Sequence, residues 1–244
     1  MRQRLIATLV VALLAGSAWR PAPAAAEVGH WQAVLIAGDV AQPVFDNAVH
    51  AIASWLAEHG VAEADIHRLS ASASSHDPKV EPATLRNVLD RIASLQGQPG
   101  DGCFVFITSH GGEGLGIYLS PADEMLKPTA LARALAHGCG SAPTVVVVSG
   151  CYSGAFARAP MAAPNRIVLT AARADRSSFG CAADRTYTDY DACLLGSLAH
   201  AVTWQAVDDE TRGCVRRREK QLHEYPSLPQ SSFGAAVRGL ALRF

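Results

Sequence analysis

The chain lacks a surplus of positive charge: 21 Lys and Arg stand against 22 Asp and Glu, a formal net charge of -1. A nucleic-acid binder needs cations to neutralise phosphates, so that class is set aside. No apolar run reaches the ~20 residues that a membrane-spanning helix requires. Charged residues make up only 18% of the 244 positions against 49% hydrophobic ones, which excludes a disordered chain. No cysteine precedes Cys103, so a lipid-modified cysteine near the amino terminus is excluded. No Cys-x-x-Cys spacing occurs, and the histidines form no metal spacing, so no zinc knuckle, thioredoxin-like motif or cofactor is expected.

What is present begins with Arg2 and Arg4, an apolar stretch over 5–15, and a small-residue exit ending in Ala24, Ala25 and Ala26. A basic start, a short apolar core and an Ala-x-Ala exit describe a secretory signal peptide. Residues 1–26 are expected to be removed, leaving 27–244 as one domain, exported to the periplasm or medium without a membrane anchor. Export permits disulfides. If Cys151 stays reduced, five cysteines remain, so at least one more is free or pairs between molecules.

Short apolar runs at 31–38, 103–108, 144–148 and 166–171 suit strands buried on both faces of a parallel sheet. A strand is also expected at 65–71 and a surface loop at 72–82. Helical spacing covers 44–60, 84–95, 126–137 and 191–203. The charged, Pro-interrupted tail beyond Val207 has no clear order. Strands alternating with helices imply right-handed crossovers and an open, mostly parallel α/β sheet covered on both faces.

Ligands of such sheets bind at the carboxyl ends of the strands. One strand ends in Thr108-Ser109-His110-Gly111-Gly112, and the next in sequence in Ser149-Gly150-Cys151-Tyr152-Ser153-Gly154. A right-handed crossover sets them side by side, so His110 and Cys151 share a crevice. A thiol and an imidazole serve nucleophilic acyl transfer, the histidine taking the thiol proton. The backbone N–H groups of Gly111 and Cys151 are placed to stabilise an oxyanion. Taken singly, Cys151 reads as a small buried hydrophobe and His110-Gly111-Gly112 as a turn. Their joint placement outranks those readings. The glycines from Gly111 to Gly116 are not a nucleotide loop, because extended chain follows at 117–121. Cys103 and Cys139 precede consecutive strands, so a disulfide is expected at the amino-terminal edge. A second bridge is expected from Cys181 to Cys193 or Cys214.

Ser109-His110-Gly111-Gly112 and Gly150-Cys151-Tyr152-Ser153-Gly154 resemble the dyad motifs of the caspase-like clan of cysteine peptidases. Leu169-Thr170-Ala171-Ala172 followed by Ser177-Ser178-Phe179-Gly180-Cys181 resembles the legumain family, which includes asparaginyl endopeptidases, the GPI-transamidase catalytic subunit and bacterial secreted members. The resemblance implies the caspase-like fold, His110 as general base, Cys151 as nucleophile, a thioester acyl-enzyme, and peptide or protein substrates. It also implies a substrate pocket with Ser178 and, across a one-residue deletion, Asp189. Ser149 stands where legumains have an acid and metacaspases also use one, and Val44 to Asn47 lack the family's pocket arginine. Strict cleavage after asparagine is therefore not expected. The alternative reading is a non-catalytic binding module that keeps the fold. A metal site at His110 and Cys151 lacks a third ligand.

Overall fold

The computed structural model describes residues 28–72, 79–98 and 100–244. The expected signal peptide lies outside the described residues, as does most of the expected loop at 72–82.

A largely apolar run of eight residues, buried continuously from Ala33, builds β1 (His30–Ala37), and the chain turns into α1 (Val44–Glu58), whose Val44, Phe45, Ala48, Val49, Ile52, Trp55 and Leu56 are buried along one stripe. Two strands follow, β2 (Ile66–Ser70) and β3 (Val80–Pro82). The end of the expected loop is thus a short edge strand, closed by a proline where no further partner needs its N–H. Helix α2 (Leu85–Ala93) starts at Thr84, whose hydroxyl accepts from Asn87 N–H, and leads into β4 (Asp101–Thr108). Beyond β4 the chain forms a small antiparallel sheet of β5 (Gly111–Gly112), β6 (Gly116–Leu119) and β7 (Glu124–Leu126). Leu126 therefore ends a strand, and α3 (Pro128–Gly138) starts two residues later than the periodicity suggests because Pro128 fits the first helical position.

The rest comprises β8 (Thr144–Ser149), β9 (Arg166–Thr170), α4 (Asp189–Leu198), α5 (Trp204–Leu222) and β10 (Gln230–Phe233). The helix expected at 191–203 is α4, which starts at Asp189 and closes at Leu198; Thr203 then caps the separate helix α5 through Ala206 N–H. Helix α5 was hidden because its stripe of Trp204, Val207, Thr211 and Val215 is sparse among charges.

The main sheet has the order β10-β9-β8-β4-β1-β2-β3, parallel except for β10. Alternate strand residues face opposite sides. Leu35, Phe104, Phe106, Val147 and Leu169 pack with α1, α4 and α5; Ile36, Val105, Ile107, Val146 and Val148 pack with α2 and α3. The chain runs outward from β1 to β3, then returns to β4 on the other side of β1 and proceeds to β9. Strand order reverses between β1 and β4.

Two disulfides staple this frame. Cys103–Cys139 joins the start of β4 to the end of α3 with Cα atoms 6.1 Å apart, as expected at the amino-terminal edge. The second bridge is Cys193–Cys214, between α4 and α5. The expected pairing of Cys181 is thereby corrected. Both partners offered to it lie on packed helices and take each other, and Cys181 is a free thiol beside Cys151.

Candidate active site

Strands β4 and β8 pair in parallel with Thr108 opposite Ser149. Each is the last residue of its strand, and each stands two residues before a reactive side chain, His110 and Cys151. The backbone beyond the strands stays in contact, with Ser109 N–H donating to Ser149 O at 3.1 Å. Gly111 then lies against Cys151 so closely that a Cβ would overlap the Cys151 carbonyl oxygen. Only glycine permits that approach. The local sequence therefore sets Gly111 against Cys151, with His110 directly before Gly111 beyond the neighbouring strand end.

Neighbouring segments hold each group. The His110 carbonyl accepts from Tyr118 N–H at 2.9 Å, tying it to β6, and Ser109 Oγ donates to Tyr118 O at 2.7 Å. The imidazole meets the edge of Phe45 of α1, with ring centroids 5.3 Å apart at 80°. Sequence reasoning missed Phe45, which gives the imidazole an apolar wall. Tyr152, directly after Cys151, adopts a left-handed backbone (φ 57°) and starts a short 3-10 turn over Ser153–Ala157. Such a conformation costs a non-glycine residue about 1 kcal/mol or more. It is held by Tyr152 N–H donating to Arg176 O at 2.7 Å and by Ala172 N–H donating to Ser153 Oγ at 3.2 Å.

Of the predicted pocket residues, Ser178 is closest to the thiol. Its N–H donates to Cys151 Sγ at 3.3 Å, the thiol reaches Ser178 O at 3.5 Å, and Ser178 Oγ lies 3.7 Å away. Ser149 is buried at the strand end, 3.5 Å from Thr188 Oγ1. Asp189 is placed differently: Arg218 Nε and Nη2 reach its Oδ1 at 2.9 and 2.8 Å, and Arg185 lies at 3.7 Å. Its N–H donates to Phe179 O, so it braces the segment carrying Ser178. The carboxyl beside Ser149 is Asp191, which the sequence reading passed over. Burial pushes Asp191 up to about 6, and the hydroxyls of Ser149, Thr108 and Thr188 offset part of that rise.

Two free thiols lie here, and their surroundings separate them. Burial first, then the proximity of Cys151, pushes the Cys181 thiol up to about 11. At neutral pH its thiolate fraction is on the order of 10⁻⁴, too small for a working nucleophile. Among the described residues no three His, Cys, Asp or Glu side chains come together as metal ligands.

The sheet order, with helices on both faces and a cysteine and a histidine beyond adjacent strand ends, is that of a caspase-like α/β fold. The fold aligns with caspase-1 of Spodoptera frugiperda over 85% of this chain and 88% of that one, at a TM-score of 0.62 and 12% identity. The model of the Peptidase C13 family matches residues 76–221, more than half of the sequence, and the chain belongs to that family, the legumain family of cysteine peptidases. No curated protein matches the chain.

Proposed function

We propose that the protein is an exported endopeptidase that cleaves peptide bonds through Cys151 as nucleophile and His110 as general base. The observation that carries this is the pairing of Thr108 with Ser149, which sets the two groups at adjacent strand ends. His110 takes the thiol proton as Sγ attacks the scissile carbonyl. The oxyanion is met by the N–H groups of Gly111 and Cys151, each worth about 3–4 kcal/mol in comparable sites. His110 then returns the proton to the leaving amine, giving a thioester that water resolves, or an amine in transpeptidation. The basic start, short apolar stretch and small-residue exit over residues 1–26 support export.

In this reading Ser178 lines the pocket beside Cys151, Ser149 lies buried beneath it, and Asp189 acts behind them through Arg218 and Phe179. With a hydroxyl where relatives carry an acid, discrimination for asparagine is expected to be less sharp than in legumains. The test is mass spectrometry after treatment with an electrophilic peptide. An adduct on Cys151, lost in His110→Ala, is expected. A folded protein that never labels would favour a binding module.

A further inference from the structure

The dyad leaves a buried group beside it unexplained. Asp191, in the first turn of α4, is 1% exposed. Its Oδ2 accepts from Thr108 Oγ1 at 2.8 Å, across 83 residues of sequence. Its N–H donates to Thr188 Oγ1 at 3.0 Å, and that oxygen lies 3.5 Å from Ser149 Oγ. Thr108 and Ser149 are the paired last residues of β4 and β8. Oδ1 is buried with no hydrogen-bond partner.

A buried carboxyl with an unsatisfied oxygen works against folding. Packing does not call for it: Cys193, Leu194 and Leu198 supply the apolar contacts of α4, and Thr188 caps the helix through its own hydroxyl. An unfavourable group that engages both strand ends behind the reactive pair points to function.

We propose that Asp191 is a positioning residue for the reaction. It ties the carboxyl ends of β4 and β8 together through Thr108 and through the Ser149–Thr188 hydroxyls, setting the separation at which His110 meets Cys151. The inference rests on the dyad reading above. Displacing reacting groups by about 1 Å costs on the order of a hundredfold in rate, so a tether two residues upstream of each group has leverage.

The groups facing Asp191 are the hydroxyls of Thr108 on β4, Ser149 on β8 and Thr188 before α4, together with Cys181 and Tyr190, whose ionisation its charge opposes. Asp189, on its own helix, is occupied by Arg218 of α5 and by Arg185. With its carboxyl raised to about 6, the tether is mostly ionised at neutral pH and accepts from Thr108 Oγ1. In mild acid it takes up a proton and becomes a donor itself.

The test uses the full chain, Asp191→Asn and Thr108→Val. Alkylation of Cys151 by iodoacetamide, a probe small enough to need no pocket, is followed with pH alongside peptide turnover and thermal melting. Asp191→Asn is expected to alkylate about tenfold more slowly at neutral pH, to lose kcat rather than raise KM, and to lack the inflection near pH 6. Thr108→Val, which keeps the carboxyl and loses one tether, is expected to fall part of the way. Wild-type alkylation in Asp191→Asn overturns the proposal, and so does an effect confined to KM. If Asp191→Asn is merely unfolded while Thr108→Val alkylates at the wild-type rate, the carboxyl supports the fold and the proposal fails. A wild-type chain whose Cys151 never alkylates removes the dyad reading itself, and this inference with it.

Discussion

The two ends of the sheet are built from different materials. At the amino-terminal end, Cys103 is bonded to Cys139, and Phe244 packs against Trp31 and Trp55 while Trp204 stacks on Phe104. These are large apolar contacts and a covalent link, interactions that add stability without chemistry. At the carboxyl end stand unpaired thiols, a left-handed tyrosine and a buried carboxyl with an unmet oxygen. The left-handed backbone and the buried carboxyl each lower stability. One end holds the strands so that the other can keep reactive groups in unfavourable surroundings.

The largest test of that contrast lies in the dyad. Cys151→Ala and His110→Ala are each expected to lower turnover by orders of magnitude, with no additive loss in the double variant, because the residues act as a unit. Melting temperature should hardly move. A variant that unfolds, or one that turns over normally, would erase the division between the ends.

Replacing Cys103 and Cys139 together by alanine should have the opposite signature. The bridge closes a separation of 36 residues, for which chain entropy gives about 3–4 kcal/mol. Denaturant titration should show that loss, while kcat at a temperature where the variant stays folded should match the parent. A fall in kcat would mean that the amino-terminal end reaches the chemistry.

The smallest effect belongs to Asp191 and appears in stability against pH. Its carboxyl is raised from the ordinary value of 3.8 to about 6, so the folded chain binds a proton that the unfolded chain releases. Between those values stability falls as pH rises, by up to about 3 kcal/mol from this group alone. The penalty is complete above pH 6 and absent below the unfolded value. Asp191→Asn should therefore lose this slope and gain stability on the parent as pH rises towards 7, measured by melting across that range. An unchanged slope would place the acid-linked stability elsewhere.

The strands β1, β4, β8 and β9 were legible because they are buried on both faces and read as unbroken apolar runs. The catalytic candidates were legible for a related reason: His110 and Cys151 follow such strands and are flanked by glycines. Helix α5 and strand β10 were not, since one carries a thin apolar stripe among charges and the other pairs only at the sheet edge. Cys181 shows the limit of cysteine arithmetic. Its count and spacing allow a bridge to Cys193 or Cys214, whereas the packing of α4 on α5 sets those two against each other.

Composition and local pattern by themselves determined an α/β chain, a parallel sheet, a thiol and an imidazole at consecutive strand ends, and the Cys103–Cys139 edge. These follow from short-range rules of burial periodicity, backbone freedom and crossover handedness. Tertiary structure alone decided that Asp189 turns to Arg218, that Asp191 stands under Ser149 and Thr108, and that Phe45 walls His110. Those contacts join residues 29, 83 and 65 positions apart, and their partners are chosen by how helices settle on the sheet. Two aspartates separated by one tyrosine look alike in sequence. On a helix they point some 200° apart, so one meets arginines and the other the buried ends of the strands.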